Sequence, residues 1–100
     1  MKYGLSENNF AHIREVLKQF PAVEAAYLYG SRAKGNYKLS SDIDLVLKGN
    51  NLNLRQLSNI SLHLDDLLLP YKFDVSIYHQ IDNRELLEHI NRIGINIFND

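Results

Sequence analysis

Apolar positions recur along this chain with two different periods, and the switches between them mark its elements. Phe10, Ile13, Leu17 and Phe20 fall at helical spacing behind Ser6 and Glu7, an N-cap followed by a favourable first-turn acid, and Pro21 stops the run. Residues 23–29 read as a mostly apolar strand. Residues 30–41 hold two glycines, three serines and three basic residues, and read as a loop with room for one helical turn. Residues 43–47 form a second strand, closed by Lys48, Gly49 and Asn50. Asn53 with Gln56 resembles a capping box, opening a helix whose Leu54, Leu57, Ile60, Leu64, Leu67 and Leu68 share one apolar face up to Pro70. Phe73 to Tyr78 is a third strand. Asp82 with Glu85 is a second capping-box candidate, ahead of Leu86, Leu87, Ile90 and Ile93. Gly94 ends that helix, and Ile95 to Phe98 is a short final strand. The alternation predicts an α/β (α+β) domain of two layers. About a dozen residues join the first two strands, close to the minimum for a parallel crossover, so a mixed sheet is at least as compatible as a parallel one.

Side chains alternate faces along a strand. Asp42, Asp44 and Val46 therefore share one face of the second strand, and Ile43, Leu45 and Leu47 the other. The third strand repeats the arrangement, with Asp74, Ser76 and Tyr78 opposite Phe73, Val75 and Ile77. The economical reading is a sheet with helices on one face only and three acids on the other. Asp42 and Asp44 lie roughly 6.5–7 Å apart along such a strand, so their carboxylates can converge on one hard cation, with Asp74 completing the cluster. Oxygen ligands without cysteine favour Mg²⁺ or Mn²⁺ over Zn²⁺. Solvated acids on an open sheet face are the alternative. Aspartate is disfavoured in strands, and three at strand starts weigh against that alternative without removing it.

Composition narrows the class. The chain has 100 residues, a formal charge of −1, 45% hydrophobic and 23% charged residues, which predicts one globular domain over 1–100. The near-zero charge excludes a polybasic arm, so direct nucleic-acid binding is not expected. Without cysteine there is no disulfide framework or thiolate metal site. No apolar run reaches the ~20 residues of a membrane helix. The first residues lack the apolar centre of a signal peptide. A soluble, cytoplasmic protein is expected.

The first strand runs directly into Gly30, Ser31, Arg32, Ala33, Lys34 and Gly35. Gly30 permits a tight turn and close approach of backbone N–H groups to an anion. Ser31 adds a hydroxyl, and Arg32, Lys34 and Lys38 add three cations with no acid between Gly30 and Ser41. A helical turn at 32–35 would aim its positive end at a bound phosphate. The pattern is neither G-x-x-x-x-G-K-[ST] nor G-x-G-x-x-G, and taken alone it is a common turn.

Together, the Gly30-Ser31-Arg32-Ala33-Lys34-Gly35 turn, the Asp42-Ile43-Asp44-Leu45 strand start and the later Asp74 resemble the minimal nucleotidyltransferase family of the DNA-polymerase-beta-like superfamily. The resemblance runs over nearly the whole chain, to the helix ending at Gly94. It implies that Gly30 and Ser31 hold a nucleoside triphosphate, with Arg32 and Lys34 at basic positions of the same loop. It implies that Asp42 and Asp44 bind one or two Mg²⁺ ions, and that Asp74 is the third catalytic and metal-binding carboxylate. The donor implied by family habit is ATP. A chain this short is expected to leave no room for an acceptor-binding domain, so the acceptor is expected on a separate chain. The short members of the family resemble antitoxins that transfer AMP to a tyrosine of a HEPN ribonuclease toxin. A non-catalytic module that neutralises a partner by contact, and a subunit of a small-molecule nucleotidyltransferase, are the alternatives.

Other polar residues read more simply. Asp65, Asp66 and His63 belong to a solvated helix face, and His12 and His89 to helix surfaces. Tyr27 and Tyr29 read as packing residues on one strand face. His79 is a weaker candidate for the open face, and Tyr37 is the aromatic residue best placed in the loop to neighbour a nucleotide.

Overall fold

The structure, a computed structural model, describes residues 1–99. Helix α1 spans Glu7–Lys18, and Ser6 starts it as the sequence predicts. The Ser6 hydroxyl accepts the Asn9 N–H at 3.1 Å, and the Asn9 side chain accepts the Ser6 N–H at 3.2 Å. The helix ends before Pro21, with Gln19 as its C-cap. Strand β1 (Ala25–Tyr29) is shorter than the apolar run, although Val23 is still buried and the Glu24 N–H donates to the Lys48 carbonyl. Then come α2 (Gly30–Lys34), β2 (Ile43–Lys48) and α3 (Leu54–Asp65), opened by the Asn53–Gln56 capping box. Strand β3 (Phe73–Ile77) passes into a 3₁₀ turn at Tyr78–Gln80.

Helix α3 ends earlier than the leucine pattern predicts. Asp66 is its C-cap, and Leu68 adopts a left-handed φ of 56° that turns the chain out, so Leu68 is 87% exposed. Leu67 still packs on the core. Helix α4 (Arg84–Ile93) is capped by Asn83, whose side chain accepts the Leu86 N–H at 3.1 Å, one residue later than the predicted Asp82. Strand β4 is the two-residue Ile95–Asn96.

The sheet order is β3-β2-β1-β4. Strand β2 runs parallel to β3 and antiparallel to β1, and β1 is antiparallel to β4, which resolves the pairing as mixed. One face is closed by α1 and α3. Ala26, Leu28, Ile43, Leu45, Leu47 and Ile77 meet Ile13, Val16, Leu17, Ile60 and Leu64 there in one continuous core. The expectation of helices on one face only fails for α4. Ile90 is buried against Tyr29 and Val46, with Leu86 and Tyr27 packed around them, so α4 covers part of the opposite face. The physical reason is the strand composition. Tyr27, Tyr29 and Val46 are too apolar to leave bare, and the strongly two-sided α4 supplies the cover.

Candidate functional site

The strand register puts three polar side chains in one row. Tyr29 of β1 pairs with Asp44 of β2, and Asp44 pairs with Asp74 of β3. Neighbouring strands are about 4.8 Å apart, so two carboxylates and a phenol stand side by side on the face opposite the main core. Asp42 lies one residue ahead of β2 and is exposed. Asp44 is half-buried, and Asp74 is exposed at the sheet edge.

Asp44 registers the crowding. Its pKa is pushed up to about 6, first by burial, then by the negative charges of Asp74 and Asp42, and the positive charge of Arg32 opposes the rise. All three acids therefore act on one locality. They do not close into a ready-made cage, since among the described residues no three His, Asp or Glu side chains form a metal-holding group. Asp42 stands one residue outside the strand, ahead of the Asp44–Asp74 pair. The donor set still suits Mg²⁺, which characteristically takes one or two carboxylates and completes its shell with water and substrate phosphate.

The glycine turn abuts this row. Gly30 follows Tyr29 and starts α2 with a left-handed φ of 74°. A Cβ at Gly30 would collide with the Asp44 carboxylate, so glycine is required twice, by backbone conformation and by space. Ser31 is half-buried and Lys34 exposed on α2. The structure thus brings Gly30, Asp44 and Asp74 together, with Ser31 following Gly30 at the start of α2.

Arg32 departs from its expected role. It is 0% exposed, and its guanidinium donates to four backbone carbonyls: Ser41 at 2.8 Å, Tyr3 at 3.0 Å, Asp42 at 3.3 Å and Leu39 at 3.4 Å. Tyr71 and Tyr37 pack on it, with ring centroids 4.7 Å and 5.4 Å from Cζ. Arg32 is therefore a strut that ties the α2–β2 loop to the N-terminal turn and fixes the backbone of Asp42. It has no surface to offer a triphosphate. Tyr37, expected as a nucleotide neighbour, is engaged in the same cluster.

Two residues that read as packing or surface positions belong to the site. Burial raises the pKa of the Tyr29 hydroxyl, the Ser76 side chain opposes the rise, and the negative charges of Asp74 and Asp44 add to it. His89 of α4 accepts the Gly30 N–H on Nε2 at 3.1 Å. Its pKa is lowered by burial and by the positive charges of Lys34 and Arg92. The shared face of β1, β2 and β3 signals Tyr29 once the register is known. Nothing local to His89 signals its contact, which spans 59 positions of sequence. His63 remains on the far side, edge-on to Phe20 at 5.3 Å.

The structure is thus a mixed sheet whose parallel pair carries paired aspartates beside a strand–glycine–serine turn. The family pattern "Polymerase beta, Nucleotidyltransferase" matches residues 11–100, and the chain belongs to that family. No curated protein matches it. Among solved structures, a toxin–antitoxin crystal structure with AMP-PNP aligns at TM-score 0.74 and 20% identity, covering 96% of this chain and 75% of that one. The toxin–antitoxin MntA–HepT aligns at TM-score 0.71 and 18% identity, covering 95% and 74%. A tri-AMPylated Shewanella oneidensis HEPN toxin in complex with its MNT antitoxin aligns at TM-score 0.72 and 17% identity, covering 96% and 74%. At these identities the likeness is one of fold.

Proposed function

We propose that this chain is a nucleotidyltransferase that uses Mg-ATP, and that it is the antitoxin of a HEPN/MNT pair, transferring AMP to a tyrosine of its HEPN ribonuclease partner in the cytoplasm. The observation that carries the reading is the row Asp44–Asp74 set against Gly30 and Ser31, with Asp42 close enough to act on the Asp44 charge. The toxin–antitoxin neighbours support the kind of partner, and the AMP-PNP and AMPylated complexes among them support the donor.

In this reading Asp42, Asp44 and Asp74 hold Mg²⁺, which when bound offsets charge on the triphosphate and on the in-line oxygens. The chain's own residues do the rest. Gly30 lets the turn approach the phosphates, the Ser31 hydroxyl donates to them, and the Lys34 ammonium pairs with their charge. Arg32 acts at one remove, by fixing the Asp42 backbone. Asp74, exposed at the sheet edge, accepts the proton of the incoming tyrosine hydroxyl. The tyrosine oxygen bonds to the α-phosphorus, the bond from that phosphorus to the bridging oxygen breaks, and pyrophosphate leaves. Positioning supplies much of the rate.

The test mixes the chain, Mg-ATP and a candidate HEPN-family partner, and weighs the partner. The reading requires a mass gain of AMP that Asp44→Ala abolishes. Neutralisation of the partner with its mass unchanged would assign the chain to contact inhibition instead. A gain that persists in Asp44→Ala would refute the site.

A further inference from the structure

We infer that His89 is a positioning residue of the glycine turn: its ring, carried on α4, accepts the Gly30 N–H and holds Gly30 and Ser31 where the triphosphate is received. The inference rests on the transferase reading above and adds α4 to the nucleotide site.

Four observations converge on it. The first N–H groups of any helix lack partners within the helix, and Tyr29, the N-cap of α2, has no side-chain hydrogen bond to offer them. His89 supplies the missing acceptor from a distant element, with Nε2 3.1 Å from the Gly30 nitrogen. The ring is steadied by Tyr29, edge-to-face at a centroid distance of 6.2 Å. Gly30 in turn fits against the Asp44 carboxylate with no room for a Cβ. A shift of the turn therefore disturbs both the phosphate-binding backbone and the carboxylate row. One bond from α4 thus holds two parts of the site in register.

The bond has a protonation requirement. Nε2 must carry a lone pair, so the ring is neutral with its proton on Nδ1. The groups facing it agree with that form. Lys34 on α2 and Arg92 on α4 place positive charge near the ring, and Tyr29 on β1 is neutral. An imidazolium would lose the Gly30 N–H and meet these two cations. The turn is therefore held best in neutral to basic solution and released as the ring is protonated.

The test uses the full chain, its His89→Ala and His89→Gln variants, and Mg-ATP as the titrant in calorimetry at about pH 8 and at a lower pH where the ring resonances of the parent show His89 protonated. Glutamine can present an uncharged acceptor to Gly30 and does not titrate. At the higher pH, His89→Ala is expected to bind about 3- to 10-fold more weakly than the parent, the size of one lost hydrogen bond, and His89→Gln within about twofold. At the lower pH the parent falls toward the alanine variant, and His89→Gln stays ahead of both. Comparing variants at one pH removes the contribution of Asp44, which titrates in all of them. In parallel, the Gly30 amide resonance of the ¹⁵N-labelled parent is expected to move with the titration of the His89 ring. Equal affinity of His89→Ala and the parent, or a Gly30 amide indifferent to that titration, would overturn the inference and leave the transferase reading standing. A parent chain that binds no Mg-ATP, with the Gly30 amide still following the ring, would overturn the transferase reading and the role in nucleotide binding with it. If the alanine variant does not fold, the crossover between parent and His89→Gln decides the question alone.

Discussion

The two faces of the sheet are made from alternate residues of the same strands, and they do opposite things. On the face toward α1 and α3, β2 contributes Ile43, Leu45 and Leu47, all 0% exposed in an aliphatic core. On the other face the same strand contributes Asp44, Val46 and Lys48. There Asp44 stands beside another acid, its pKa driven up to about 6. Each aliphatic residue on the first face contributes about 1.5–3 kcal/mol by burial. The second face holds an ionised carboxylate where burial and like charges disfavour it. The comparison teaches that the core offsets the strain of the site, and that the two are separable by mutation because a strand keeps them one residue apart.

Several substitutions would break that separation or sharpen it. Asp44→Asn has the largest expected effect, a fall of roughly a thousandfold or more in AMP transfer to the partner, equivalent to several kcal/mol of lost charge stabilisation. Its melting temperature in neutral, magnesium-free buffer is expected to rise. Leu45→Ala, one residue away, reverses the pattern. It should cost about 2–5 kcal/mol of stability in denaturant unfolding, with activity retained in the fraction that stays folded. Arg32→Met lies between, because it leaves the carbonyls of Tyr3, Ser41 and Asp42 without a donor. A loss of about 2–4 kcal/mol is expected, together with faster amide exchange over residues 36–42.

Acidity provides a gentler probe. Asp44 titrates at about 6 in the folded chain, above the ordinary carboxylate value, so its ionised form is destabilising. That penalty is present in full above pH 6 and is relieved as pH falls through 6 toward the unfolded pKa near 4. His89 has the opposite sign. Its folded pKa is depressed, so its contribution is lost as pH falls below about 6.5. Thermal unfolding of the metal-free parent and of Asp44→Asn should therefore converge as pH falls from about 7 to about 4, with only the parent gaining from Asp44 on acidification. Adding Mg-ATP near neutral pH at about 100-fold above its dissociation constant should raise stability by ~2.7 kcal/mol, on the order of 10 °C in melting temperature.

Much of this was legible in residue order. The strand positions, the caps at Ser6 and Asn53, and the segregation of Asp44 and Asp74 from Leu45 and Val75 follow from local propensity and from periods of two and 3.6. The glycine–serine turn and its aspartates were legible as a pattern. Less legible were the contacts that long-range packing makes. Arg32 reads as one more cation in a basic loop, yet enclosure by Tyr3, Tyr37 and Tyr71 turns it inward. His89 reads as a surface helix residue until α4 crosses to the second face and delivers it to Gly30. Leu68 continues the leucine pattern past a helix that has already ended at Asp65, and its own left-handed φ turns it outward.

The sequence by itself determined which residues can share a face, because alternation along a strand is a local property of the backbone. It also determined that Gly30 could bend where bulkier residues could not. Only the tertiary structure decided that β3 lies beside β2 in parallel, which sets Asp74 next to Asp44, and that Arg32 holds carbonyls rather than phosphates. Those outcomes depend on register and enclosure between segments far apart in the chain. They are set by the packing of the whole core, which no short window of sequence contains.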